Sequence, residues 1–84
     1  MTATVPQMPS NPEAVKRSKF ALLCESIVEA LSVASHYNET AITFAQIGDL
    51  DCLEMSMREF ARTASIATRT TRELIDLRRI GGTL

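Results

Sequence analysis

The chain has 84 residues, of which 45% are hydrophobic and 23% are charged, with no Trp, three Gly and three Pro. This composition is typical of a globular or helical-bundle protein and excludes a collagen-like or largely disordered chain. The formal net charge of −1 gives no overall attraction toward nucleic acid or an anionic membrane, so any such affinity needs a local patch.

The first helix is predicted to begin at residue 12. Asn11 can cap free backbone N–H groups, Pro12 suits the first helical position, and Glu13 complements the positive end of the helix dipole. Residues 1–10 precede this start and are predicted to form a flexible N-terminal tail.

The pair Gly48-Asp49 separates two long segments that lack Gly and Pro. A Gly that ends one helix and an Asp that caps the next predict a tight turn. The sequence therefore predicts a helical hairpin over 11–80, with helices at 12–47 and 50–79 and a C-terminal tail at 81–84. The alternative is a three-helix bundle with a break near Asn38, where weak helix formers cluster.

Apolar residues alternate in steps of three and four along both helices, which indicates coiled-coil-like packing. We assign the contacting row of the first helix to Phe20, Cys24, Ile27, Leu31, Ala34, Asn38, Ala41 and Ala45. The corresponding row of the second is Leu50, Leu53, Met57, Phe60, Ala64, Ala67, Thr71 and Leu74, flanked by Ser56, Ala61, Thr63, Thr68 and Thr70.

The apolar face of the first helix is wider than one partner helix can cover. A chain of this length with a single hydrophobic core is also only marginally stable by itself. We therefore expect an all-α hairpin that forms a homodimer, or a tetramer, with a four-helix bundle at its centre. The predicted dimer interface comprises Phe20, Leu23, Ile27, Leu31, Ala34, Tyr37, Asn38 and Phe44.

Acidic residues concentrate at the turn and basic residues at the opposite end of the predicted hairpin. This separation favours antiparallel docking of two hairpins, although each exposed ion pair contributes only about 0–1 kcal/mol. The alternative is that these are ordinary solvated charges. The acidic set is Glu39, Asp49, Asp51 and Glu54, and the basic set is Lys16, Arg17, Lys19, Arg69, Arg72, Arg78 and Arg79.

Five arginines share one outward side of the second helix: Arg58, Arg62, Arg69, Arg72 and Arg79. Guanidinium groups bind phosphate well, so this arginine ridge is a candidate nucleic-acid or acidic-partner surface. Neighbouring carboxylates, the absence of interleaved aromatic residues and a pI near 5.7 favour a solvated or protein-binding face instead.

Ile66, Leu77 and Ile80 fall outside the assigned row of the second helix and are predicted to lie on its outer side. Exposed apolar side chains beside arginine are typical of protein-binding surfaces. These three residues are the candidate contacts to another protein, or to a larger assembly of which the chain would be a subunit.

No residue pattern indicates catalysis, a metal or a cofactor. His36 lies on the polar side of the first helix, and the residue three positions before it is Val33 rather than the Glu of a Glu-x-x-His metal motif. Cys24 and Cys52 are predicted to lie about 30 Å apart, too far for a disulfide.

The sequence predicts a non-enzymatic, homo-oligomeric protein interaction module, such as a small adaptor, assembly factor or regulator. A helical nucleic-acid binder and a subunit of a larger assembly are the alternatives. The first twelve residues lack the pattern of a secretion signal, and no apolar run reaches the roughly 20 residues of a membrane span. We therefore expect a cytoplasmic protein without a membrane partner.

Overall fold

The computed structural model describes residues 11–81, which form two long antiparallel helices in a hairpin. Helix α1 is Pro12–Ile47 and helix α2 is Leu50–Gly81. The all-α hairpin predicted from the sequence is confirmed, and α2 extends two residues past the predicted end at residue 79. The predicted N-terminal tail at 1–10 lies outside the described residues, and so does the predicted C-terminal tail at 81–84 except for Gly81, which belongs to α2.

The start of α1 has the predicted cap. The Asn11 side-chain oxygen accepts a hydrogen bond from the Glu13 backbone N–H at 3.0 Å, and Pro12 occupies the first helical turn. The Asn11 cap satisfies one backbone donor that the helix itself leaves free, and Pro12 has no N–H to satisfy.

Helix α1 continues without interruption through the weak helix formers at residues 35–40. The hydroxyl of Thr40 donates to the His36 carbonyl at 2.9 Å, and that of Thr43 donates to the Glu39 carbonyl at 3.2 Å. These side chains therefore bond back to their own helix and do not terminate it. The alternative three-helix bundle with a break near Asn38 is wrong.

Two residues reverse the chain direction between the helices. Gly48 adopts the left-handed conformation (φ 74°, ψ 22°), and the Asp49 N–H donates to the Phe44 carbonyl at 3.0 Å. The Asp49 carboxylate then accepts from the Cys52 N–H at 3.1 Å, which caps α2. A short turn with defined dihedral angles also fixes how α2 is rotated about its own axis relative to α1.

The helices contact each other along one row of side chains from each, which we call the inner seam. Every member is buried or half-buried. In α1 it comprises Phe20, Leu23, Ile27, Ala30, Ala34, Tyr37, Ala41 and Phe44, and in α2 Leu53, Ser56, Phe60, Thr63, Ala67, Thr70, Leu74 and Leu77.

The rows of contacting residues assigned from the sequence are partly wrong. Leu31, Asn38 and Ala45 of α1 are exposed, as are Leu50, Met57 and Thr71 of α2. Residues that the sequence analysis placed on the flanks occupy the contact instead. The contact is shifted by one position on each helix, which brings in Ala30 and Ser56 instead of Leu31 and Met57 but also Tyr37 and Phe44 instead of Asn38 and Ala45.

Two buried hydroxyls of the inner seam, those of Thr63 and Thr70, are satisfied within α2. Thr63 donates toward the carbonyls of Glu59 and Phe60 at 3.0 and 3.1 Å, and Thr70 donates to that of Ile66 at 2.9 Å. These bonds remove most of the penalty that burial of a hydroxyl would otherwise carry. The seam thus combines close packing with little apolar burial.

The hairpin is a single layer of two helices. Its smallest extent is 13 Å, close to the diameter of one helix, and its radius of gyration is 19.6 Å, compared with roughly 12 Å for a compact domain of this length. Among the described residues, no large side chain is fully buried. The hairpin therefore has a seam but no enclosed core.

We predict that Gly48→Ala lowers the free energy of unfolding by about 1–2 kcal/mol, because a Cβ disfavours the left-handed backbone. An added Cβ would meet no atom within 4 Å, so the cost is conformational and not steric. Gly48→Asn is the matched control and should cost less, since Asn tolerates this conformation. Urea unfolding at one fixed chain concentration measures both variants, and equal losses would contradict the explanation.

Candidate interaction face

A second apolar stripe runs along α1 about a quarter turn from the inner seam. Its residues follow the same three-and-four spacing: Ala21, Cys24, Val28, Leu31, Ser35, Asn38, Ile42 and Ala45. Val28, Leu31 and Ile42 are 64%, 51% and 50% exposed. The stripe is thus a helix-packing surface that α2 leaves uncovered.

Helix α2 carries an equivalent stripe on the same side of the hairpin. It comprises Leu50, Met57, Ala61, Ala64, Thr68, Thr71 and Ile75, and Leu50, Met57 and Ile75 are among the exposed large hydrophobic residues. A groove lined by Leu31 together with Ala64, Thr68 and Thr71 shows that the two stripes adjoin. We call them together the broad face.

The structure divides the predicted dimer-interface residues between two surfaces. Leu31 and Asn38 lie exposed on the broad face. The other six lie on the inner seam and face the chain's own second helix: Phe20, Leu23, Ile27, Ala34, Tyr37 and Phe44. Sequence reasoning missed that the wide apolar face of α1 consists of two adjacent stripes, although each keeps its own regular spacing.

Ile66 and Leu77 border the side of the hairpin opposite the broad face. The prediction that they lie on the outer side of α2 is wrong. Both are half-buried. Ile66 lines a groove with Ala30 and Val33 of α1, and Leu77 lines one with Lys19 and Leu23. Of the three predicted partner contacts only Ile80, which is 85% exposed, points into solvent.

The five residues of the arginine ridge are all exposed. Arg58 pairs with Glu54 at 3.7 Å, as its spacing predicts, and Arg62 pairs with Glu59 at 2.9 Å. Within the described part of the chain, no carboxylate oxygen lies within 4 Å of Arg69, Arg72 or Arg79. The half of the ridge toward the end of α2 therefore presents its charge to solvent.

The cysteines are both free and half-buried, so the prediction of no disulfide between them is confirmed. His36 is exposed, and its ring contacts the edge of Tyr37, with ring centroids 5.4 Å apart. Residues 11–81 contain no cluster of three His, Cys, Asp or Glu side chains placed to hold a metal ion. Neither described helix has an apolar stretch suited to crossing a bilayer.

The pKa of the Cys52 thiol is raised, chiefly because its side chain hydrogen-bonds to Asp49. Partial desolvation and the negative charges of Asp49 and Asp51 act in the same direction. The main cause is thus Asp49, the residue that caps α2. The thiol is therefore held in its unreactive, protonated form.

Comparison with protein-family models, with curated proteins and with solved structures finds no match for this chain. The chemistry of its own surfaces is therefore the basis for any functional proposal.

We predict that Asp49→Asn lowers the Cys52 pKa toward its ordinary value and speeds alkylation of this thiol. The substitution removes the charge and keeps a side-chain oxygen that can cap α2. Iodoacetamide labelling at pH 8, followed by peptide mass spectrometry, measures the rate at each cysteine, and Cys24 serves as the internal control. An unchanged Cys52 rate with intact helicity would contradict the assigned cause.

Proposed function

We propose that this chain is a non-enzymatic protein interaction module that self-associates through its broad face into a four-helix bundle. The observation that supports this most directly is the burial pattern. The fully buried apolar residues among those described are Ala34, Ala41 and Ala67, whereas Leu and Ile side chains of the broad face remain exposed.

The energetic argument follows from the sizes of these side chains. Full burial of one Val, Leu or Ile contributes about 1.5–3 kcal/mol, and the large side chains of the inner seam are only half-buried, so the seam stabilises the hairpin less than an enclosed core would. A two-helix hairpin of this length is therefore expected to be marginal alone. Covering the broad face would bury several large side chains at once.

A second copy of the chain is the simplest partner for such a face. Helical bundles use the three-and-four spacing found in both stripes, and two-fold dimers are the commonest homo-oligomers. The remaining surfaces, including the arginine ridge, would stay available for another protein. An adaptor, assembly factor or regulator acts through outer surfaces of this kind.

The free cysteines are compatible with a reducing compartment, and we place the protein in the cytoplasm on that basis. The same architecture also suits a subunit of a larger assembly, in which a different chain would cover the broad face. Ile80 is then the best apolar candidate for a further contact, because Ile66 and Leu77 are engaged with α1.

Replacement of Leu31 with Lys tests the proposed self-association. We expect the wild-type chain to be a dimer or tetramer at low and at high salt, and Leu31→Lys to be a monomer, because a buried unpaired charge is strongly unfavourable. Size exclusion with light scattering under reducing conditions gives the mass. Circular dichroism reports whether the released hairpin keeps its helices.

Leu22→Lys is the matched control. Leu22 is 66% exposed and lies on the side of α1 away from the broad face, so this variant should retain the wild-type mass. A wild-type monomer would refute self-association, and a Leu31→Lys oligomer of unchanged mass would show that a different face is used.

A second candidate function is nucleic-acid binding, favoured by the three unpaired arginines of the ridge. It predicts binding to duplex DNA or RNA that weakens steeply with salt and is lost in an Arg62→Glu, Arg69→Glu, Arg72→Glu variant. Fluorescence anisotropy at 50 and 200 mM salt measures this affinity. No binding at the lower salt concentration would eliminate the nucleic-acid function and leave the protein interaction module.

A further inference from the structure

Along the two stripes of the broad face, charged residues occupy only positions near the ends, although Arg72, Asp76 and Arg79 also line the groove beside the α2 stripe. When the stripe spacing is followed outward, Glu54 falls in the α2 stripe beside the turn, and Arg17 and Arg78 fall in the two stripes at the open end of the hairpin. All three side chains are exposed. The stripes are thus acidic at the turn and basic at the open end, with apolar or small polar residues between.

Two hairpins can place these faces together in two symmetric ways. If the turns lie at the same end, a two-fold axis parallel to the helices stacks α1 on α2 of the partner copy. If the turns lie at opposite ends, the axis is perpendicular to the helices and each helix stacks on its own copy. The first arrangement sets like charges at the same end, and the second sets unlike charges together.

We propose that two copies of this chain dock through their broad faces with the turns at opposite ends, so that Glu54 faces Arg78 of the other copy and Leu31 meets its own copy on the two-fold axis. This inference rests on the self-association proposed above. It adds the orientation, the register and the helix pairing, which the proposed function leaves open.

The register follows from positions within one chain. Residue 66 lies midway between Glu54 and Arg78 along α2, so the axis crosses α2 at that level. The groove shared by Leu31 with Ala64, Ala67 and Thr68 places Leu31 at the same level of α1. The axis therefore passes beside Leu31, the most central large side chain of the face.

Charge reversal tests the orientation. Glu54→Arg and Arg78→Glu should each weaken self-association, because like charges then face each other, and an equal mixture of the two should form mainly mixed dimers. Native mass spectrometry resolves the three species by mass. A mixture of Glu29→Arg and Arg69→Glu, which lie outside the face, is the control and should give the statistical ratio of 1:2:1.

Cross-linking tests the register independently of charge. In a chain carrying Cys24→Ala and Cys52→Ala, the Leu31→Cys variant should oxidise to a disulfide dimer, because a disulfide needs Cα atoms within about 7 Å. Ser65→Cys is exposed at the same level but outside the broad face. It is the matched control and should remain unlinked.

The outcomes separate this inference from the proposed function. If the wild-type chain is a monomer by light scattering, both fail. If the chain is a dimer, but Leu31→Cys links only when mixed with an Ala64→Cys chain and charge reversal gives no mixed dimers, self-association stands and the turns lie at the same end. A dimer with neither cross-link refutes the broad face as the interface.

Discussion

The close packing of Ala, Ser and Thr side chains between α1 and α2 is the constraint on which the rest of this structure depends. Ala34, Ala41 and Ala67 bring the helices together at mid-length, and Thr63 and Thr70 satisfy their hydroxyls on their own backbone. Small residues make a tight contact but bury little apolar surface. The larger apolar side chains divide between the inner seam, where Phe20, Phe44 and Phe60 are half-buried, and the broad face, where Val28, Leu31 and Ile42 are exposed.

This arrangement links stability to association. If two copies cover each other's broad faces as proposed, large side chains that are exposed in one hairpin become buried, and the apparent stability of the chain should depend on its concentration. The same logic explains why charge matters more for orientation than for strength. Exposed ion pairs contribute little, but in the proposed dimer Glu54 and Arg78, at opposite ends of the α2 stripe, distinguish one alignment from the other.

The parts of the structure that the sequence predicts are determined by interactions within a few residues of the chain. The parts that it does not predict depend on contacts between the two helices. Asn11, Gly48 and Asp49 act through hydrogen bonds and backbone angles within a few residues, and the sequence alone placed both helices and the turn through them. The sequence pattern assigned Leu31 and Met57 to the helix contact, whereas the structure places Ala30 and Ser56 there. Both alternatives keep a regular spacing of threes and fours, so periodicity by itself does not separate them.

By itself the sequence determined that the chain is helical, where α1 begins and where the chain reverses, because local propensity and capping are properties of short segments. Only the tertiary structure decided which stripe of each helix faces the other and which stripes adjoin on the free side. The physical reason is that the rotation of α2 about its axis depends on which of its side chains pack against α1, and these contacts join residues that are distant in sequence.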